Sequence, residues 1–528
     1  MKIRRLALVL LAAGFCSESF AQTSDAARID ALEKQVTDLS GQVLELRGSL
    51  TPQAQGAPRP PTATVQVTMK DGRPTFASDD GNFSMSIRLL TQVDFAYYMQ
   101  GASAAALPAA FGPDLSSGAN FRRANIGFQG TVFHDWNYNL MLGFGGNGIE
   151  QSGRVLTAYV EYGGWAPFYL RAGAYAPPSS LDGSTPSTDA LMMERSGAAD
   201  VQLGLTGGDS RDAISAIYAG DRLFAGASLT GAHVGDGPVF DEQMAVLGRV
   251  AVLPLDETDA KMLVGFNGAH IFKLNDQTPN SSINGSNTPG ATPRSVISLS
   301  QFPELSVDSN SVKFTNTGSL PATHVTQWGV DAGLQLQNLY ANGGYFTYQV
   351  DRAPEAYKVF SAPGVSATQI FQPGNNLFSG WYGGASWVLT GESRQYSPMT
   401  ATFLPPKPDK TFSTGGFGAV EWAARYSVLD FNNRINDSTS LITDWSGANR
   451  TYTFPNTVRG GKQTIIGTAL NWYPNNALRF TVQYQWIDVN RLQPPATVTT
   501  TAPGTPSLPA LNAGQKLQTV GVRAQVSL

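Results

Sequence analysis

Leu478-Arg479-Phe480-Thr481-Val482-Gln483-Tyr484-Gln485-Trp486 puts an apolar or aromatic side chain at every second position and a polar one between. A repeat of two is the side-chain period of a β-strand. Just before it, Thr464 to Trp472 sets Ile466, Leu470 and Trp472 on one parity against Gly467, Ala469 and Asn471 on the other. The five residues between, Tyr473 to Ala477, form a turn in which Pro474 presets φ and Asn475 and Asn476 tolerate the left-handed region. The unit is a β-hairpin with one greasy face and one face of small residues, amides and an arginine. A soluble β-sandwich shows the same alternation, so the fold depends on whether the rest of the chain repeats the unit.

It does, from Val65 onward. Phe83, Met85, Ile87, Leu89, Thr91, Val93, Phe95, Tyr97 and Met99 share one parity, with Ser84, Ser86, Arg88, Gln92 and Asp94 on the other. Ala124, Ile126, Phe128 and Val132 oppose Arg123, Asn125, Gln129 and Thr131. Leu156, Ala158, Val160 and Tyr162 oppose Thr157, Tyr159 and Glu161, and Phe168, Leu170, Ala172 and Ala174 oppose Arg171. Further strands are expected near Val201, Ile214, Phe224, Met244, Met262, Thr326, Tyr345, Trp381, Phe417 and Thr519; beyond Val65 only strand signals are read. Short turns alternate with long connections rich in Pro, Ser, Thr and Asn, such as 275–300, 353–376 and 493–514. Short turns at one end and long loops at the other describe an outer-membrane β-barrel. The predicted fold is therefore all-β, a transmembrane antiparallel barrel over residues 65–528. About sixteen strands leave room for spans of roughly 9–11 residues and generous loops.

Composition agrees. Charged residues are 14% of the chain, against about 25% in soluble domains, so water is not the only solvent. No stretch after the N-terminus approaches the roughly 20 apolar residues of a spanning helix.

The start of the chain reads as three segments. Residues 1–21 have a basic start (Lys2, Arg4, Arg5), an apolar run from Leu6 to Phe15, and a small-x-small site at Ser19-Phe20-Ala21, the pattern of a secretory signal peptide. It carries the only cysteine, Cys16, so the exported chain would use no disulfides. Its removal takes three basic residues and one acidic residue, moving the net charge from −4 to −6 and arguing against a nucleic-acid partner. Residues 22–50 hold Ile29, Leu32, Val36, Leu39, Val43, Leu46 and Leu50, spaced 3 and 4 in turn. This is an a/d heptad seam, predicting a short oligomerising coiled coil that would point toward the cell wall. β-Branched residues at a with Leu at d nominally favour two strands. Residues 51–64 contain Pro52, Pro58, Pro60 and Pro61 and form a Pro-rich linker.

On the polar parity stand Arg88, Arg123, Arg171, Arg249, Arg425, Arg479 and Arg523. A charge facing lipid near the midplane costs about 2–4 kcal/mol, so these residues are expected to face the lumen as pore-lining, anion-binding groups. The competing expectation is internal neutralisation, with Glu161 beside Arg171 and Glu421 beside Arg425. Signals of other chemistry are weak. Gly143 to Gly148 fits G-x-G-x-x-G, but a strand rather than a helix follows. His134, His233, His270 and His324 have no metal-ligand spacing, and no catalytic triad or thiol–imidazole pairing is present. Neither an enzyme, a cofactor nor a bound metal is expected.

Six stretches in order resemble the phosphate-selective porin O and P family of Gram-negative outer membranes. They are Phe121-Arg122-Arg123-Ala124-Asn125-Ile126-Gly127-Phe128-Gln129-Gly130, Ala158-Tyr159-Val160-Glu161-Tyr162, Glu194-Arg195-Ser196, Thr390-Gly391-Glu392-Ser393-Arg394, Glu421-Trp422-Ala423-Ala424-Arg425-Tyr426-Ser427 and Gly467-Thr468-Ala469-Leu470-Asn471-Trp472-Tyr473. The resemblance implies sixteen strands, a homotrimer in outer-membrane lipid, an arginine-lined pore for small anions or polar solutes, and a third long loop folded into the lumen. That loop, Tyr175 to Ala199, contains Asp189, Glu194 and Arg195. Arg195 is the expected constriction residue, and a simple Arg195–Glu194 pair is the competing reading. Two departures stand out. The segment Gly173 to Ser180 lacks the family's lysine, in a chain with 11 Lys against 25 Arg, and the chain ends on Leu528 rather than an aromatic residue. Phosphate selectivity is therefore not carried over with the fold. Two other classes stay open at this point: a plugged structural envelope barrel with a coiled-coil stalk, and a secreted β-rich binding protein.

Overall fold

A computed structural model describes residues 25–49, 65–70, 72–101, 114–235, 241–276, 295–493, 498–500, 508 and 512–528. The expected signal peptide, Leu50 at the end of the heptad seam, the Pro-rich linker and parts of the long connections lie outside the described residues. The chain divides into two units, residues 1–63 and 64–528. The first holds one helix, α1 (Asp25–Ser49). Its seam residues Leu32, Val36 and Leu39 are 59%, 61% and 60% exposed.

The second unit is a closed antiparallel barrel of sixteen strands. They are β1 (Phe83–Gln100), β2 (Gly118–Val132), β3 (Trp136–Gly143), β4 (Arg154–Trp165), β5 (Phe168–Tyr175), β6 (Arg211–Ala219), β7 (Leu223–His233) and β8 (Met244–Asp256). There follow β9 (Ala260–Lys273), β10 (Leu320–Leu336), β11 (Leu339–Arg352), β12 (Asn376–Val388), β13 (Ala419–Asn433), β14 (Val458–Tyr473), β15 (Leu478–Asn490) and β16 (Lys516–Ser527). Each pairs with the next, and β16 closes on β1 through Val522↔Phe95 and Arg523↔Asp94. Closure removes every free sheet edge from the hydrocarbon. A hairpin, Val65–Lys70 with Arg73–Ser78, precedes the barrel and extends the edge of β1 through Thr75↔Ser86.

The predicted alternation holds along most of the wall. Phe480, Val482 and Tyr484 are exposed on the outside, while Arg479, Thr481, Gln483 and Gln485 are buried on the inside. It breaks at two bulges. Gln92 pairs with Arg123 but Val93 with Phe121, leaving Arg122 unopposed, so two consecutive arginines both turn inward. Met141 pairs with Thr157 but Leu142 with Val155, and Leu156, expected on the outer face, is turned into the lumen. An extra residue in one strand reverses the parity beyond it.

The lumen is not empty. Among the described residues three connections enter it: L3 (176–210), residues 295–319 of the fifth long loop, L5, and T6 (389–418). T6 departs from the expected pattern, because it is long yet sits at the short-turn, periplasmic end. L3 contains two helices, α2 (Leu181–Ser184) and α3 (Gly197–Thr206), where a strand is expected near Val201. The helix forms because the Ser196 hydroxyl caps it by accepting from the Ala199 N–H at 3.3 Å. It also satisfies its own backbone inside the barrel, where an unpaired strand would not. Nearly every residue of α3 is buried, as suits a helix enclosed on all sides.

The inner wall where α3 lies is apolar rather than polar. Ala198, Ala199, Val201 and Leu205 pack against Phe346, Tyr348, Phe378 and Phe431 of β11 to β13. From T6, Ala401 and Phe403 pack with Leu181, Met192 and Tyr340. From L5, Leu305, Val307 and Phe314 pack with Met193, Tyr98 and Ile487. Glycines make room for L3: a Cβ at Gly467 would lie 2.7 Å from Met192 Cε, and one at Gly521 would lie 2.8 Å from Met193 Sδ.

Candidate pore and its arginines

With the β8–β15 side of the lumen filled, open space remains against β1 to β5. It is a cavity of about 600 Å³ whose lining includes Arg88, Arg122, Arg123, Arg154, Arg171 and Arg195. Four of these are expected from the sequence. Arg122 is missed because alternation points it outward, although two adjacent arginines inside a strand already signal a bulge. Arg154 is missed because it sits at the extreme start of β4.

The arginines in this lining, and Arg523 buried behind it, are of two kinds. Some are neutralised. Arg122 donates to both carboxylate oxygens of Glu194, at 2.8 and 3.0 Å. Arg523 grips Asp94 with two 2.7 Å hydrogen bonds and reaches Glu194 at 2.8 Å. Burial alone would favour a neutral Glu194, but the guanidinium groups of Arg122, Arg123 and Arg523 outweigh it and hold the carboxyl well below the ordinary glutamate range. Arg171 faces Glu161 across β4 and β5, donates to it at 2.8 Å, and lies 4.4 Å from the ring of Tyr159 and 5.2 Å from that of Tyr175. That pairing follows the expected neutralisation.

Others donate no hydrogen bond to a carboxylate among the described residues. Arg88 donates to Gln129 at 3.2 Å. Arg123 donates to Gln92 at 2.7 Å and meets Glu194 only at 4.0 Å. Arg195 donates to the carbonyls of Asp182 and Thr185, at 3.0 and 2.8 Å, rather than pairing with its neighbour Glu194. Carbonyls orient a guanidinium without cancelling its charge.

The remaining three expected pore residues face inward as alternation predicts, but the inserts cover them: Arg249, Arg479 and Arg425 are only 1%, 4% and 8% exposed. Arg249 donates to the carbonyls of Thr400 and Ala401 at 2.7 and 2.9 Å, with Asp331 at 3.8 Å, and so clamps T6. Arg479 donates to the carbonyls of Thr188 and Leu191 in L3. Arg425 donates to Glu304 of L5 at 2.5 Å and to the carbonyls of Glu194 and Arg195. Glu421 does not pair with Arg425. Residues four apart on a strand share a face but lie about 13 Å from one another. Glu421 instead takes both bonds of Arg394 in T6, at 2.8 and 3.0 Å.

No group of three or more metal-ligating side chains exists among the described residues. Two histidines expected to be isolated, His270 and His324, stack at 5.7 Å. The glycine-rich stretch after Gly143 leads through an irregular loop into β4, with no helix following.

The phosphate-selective porin O and P family matches residues 111–503. Porin O of Pseudomonas aeruginosa is 25% identical over 433 residues, covering 80% of this chain and 86% of that protein. An uncharacterised protein of Caulobacter vibrioides is 23% identical over 437 residues, covering 83% of this chain and 74% of that protein. Among solved structures, an anion-selective porin from Comamonas acidovorans aligns over 84% of this chain and all of its own, at 11% identity and a TM-score of 0.45. OmpT of Vibrio cholerae aligns over 85% of this chain at 9% identity and a TM-score of 0.43. Well over half of the chain lies within the family match and its strands close into one barrel: the chain belongs to the phosphate-selective porin O and P family and is an outer-membrane porin.

Proposed function

We propose that the barrel is a passive diffusion channel that favours small anions, with Arg88, Arg123 and Arg195 as the groups that attract them. One observation carries this reading: these guanidinium groups face the cavity, yet no carboxylate lies within 3.5 Å of any of them among the described residues. Arg or Lys at a constriction favours anions by direct Coulomb attraction. Zero-current potential in a KCl gradient across a planar bilayer tests it. The potential is expected near the chloride limit, and R123A and R195A are each expected to lower the chloride-to-potassium permeability ratio about twofold or more. A potential on the potassium side overturns the reading. Arg249, Arg425 and Arg479 belong in this proposal as clamps for the inserts that narrow the channel. Phosphate is one anion such a channel would pass, although the chain's scarcity of lysine does not single it out.

The heptad seam of α1 supports self-association, and family membership favours three copies in outer-membrane lipid over the two that the a/d residues nominally suit. The seam's exposure on α1 is the supporting observation. A cell-wall contact of the helix, and export by residues 1–21, complete the proposal. A second reading, a plugged structural barrel, draws on the three lumenal inserts. It requires well-folded oligomers that conduct no ions.

A further inference from the structure

The inner wall of a water-filled barrel is ordinarily polar. Beside Arg88 a cluster of apolar side chains interrupts the polar lining of Asn125, Asn139, Thr157 and Tyr159. Arg88 of β1 faces Gly127, and Gly127 faces Met141 of β3. One step along, Leu90 faces Asn125, and Asn125 faces Gly143, against which the inward-turned Leu156 side chain lies. Leu90, Met141 and Leu156 all line the cavity, and Met399, 40% exposed on T6, lines it too. Gly127 and Gly143 add no side chains, so Leu90, Met141 and Leu156 border a shallow apolar dent, with Asn125 the polar side chain at its edge. Leu90 and Arg88 are two residues apart on one face, about 7 Å.

An apolar dent offers nothing to inorganic phosphate, whose whole surface is hydrated and charged. It suits a solute with one charged end and one greasy end. We infer that the channel selects monocarboxylates bearing a small aromatic ring or short alkyl chain, with the carboxylate on Arg88 and the apolar body against Leu90, Met141 and Met399. This rests on the anion-channel reading above and names its substrate class. The bulge at Leu156 supplies the floor of the dent, and the partner of Arg88, Gln129, is neutral and leaves the guanidinium charge available.

The test uses the full chain in planar bilayers carrying a chloride current. The half-blocking concentrations of acetate, phenylacetate and phosphate are compared. Phenylacetate is expected to block at a concentration about tenfold below that of acetate or phosphate, because only it buries apolar surface. In L90S/M141S, phenylacetate is expected within about twofold of acetate, with acetate unchanged. R88Q is expected to weaken both carboxylates. M399S, on the insert rather than the wall, repeats the test without touching a strand and is expected to reduce the preference partially. Equal block by phenylacetate and acetate, or tighter block by phosphate, overturns the inference. So does a preference that survives in conducting L90S/M141S channels or is undiminished in conducting M399S channels. A zero-current potential on the potassium side, measured without carboxylate, instead marks failure of the anion-channel reading itself.

Discussion

A charge inside this barrel does one of two jobs, and its partner decides which. Arg394 and Glu421 are both buried and bound to each other by two hydrogen bonds. Removing one partner of such a pair leaves an uncompensated buried charge. E421Q is therefore expected to cost about 3–5 kcal/mol, read as a lower urea midpoint for unfolding in detergent, and R394L should cost about the same. Glu194 tests the other job, since it is the acid that neutralises arginines at the cavity. E194Q frees Arg122 and partly frees Arg123 and is expected to raise the chloride-to-potassium permeability ratio. Because its carboxyl is held below the ordinary range, its ion pairs persist above that range and are lost only far below it. The selectivity of the unmodified channel is thus expected to stay flat between about pH 7 and 5. Which job each arginine does was not legible in the sequence. Parity turns Arg249 toward the lumen, but nothing in the residues around it announces Thr400 and Ala401, which lie some 150 residues away.

Among the elements, strands were legible and inserts were not. β14 and β15 repeat one chemical rule, lipid outside and polar inside, and a rule applied at each residue leaves a pattern. L3, L5 and T6 obey no such rule, because each is shaped by the particular patch of wall it meets. The strand expected near Val201 is a helix for that reason: its apolar residues face an enclosed lumen on all sides, which erases the period. T6 carries a further consequence. While Phe403 is buried in the lumen, Phe412 and Phe417 are each 63% exposed and cluster with Trp472 on the outer face, at ring distances of 6.3 and 5.4 Å. Aromatic rings at this level belong to the membrane–water interface. F412S/F417S is expected to loosen T6, seen as faster trypsin cleavage at Lys407 and Lys410 in liposomes. F403A, which empties the lumenal end, is expected to cost about 3–5 kcal/mol and to increase conductance noise.

For the whole molecule, the barrel was readable as about sixteen strands because its closure forces an even count and a common outward face. The number of copies that assemble was less readable, since the a/d residues of α1 and the family precedent point to different numbers. L32S/L39S is expected to lower the temperature at which the oligomer dissociates on a native gel; an unchanged temperature would remove the helix from the assembly. The seam between β1 and β16 has its own implication. L3 enters from the outer end and T6 from the inner end, and they meet where Arg394 donates to the Asp189 carbonyl at 3.4 Å. Both segments are tethered at open mouths of the barrel, one at each end, so neither has to pass through the ring of hydrogen bonds to reach its seat. During biogenesis the last strand is therefore expected to zip onto the first whether or not the filling is in place, and a porin whose stuffing is defective should leave its insertion machinery closed but leaky.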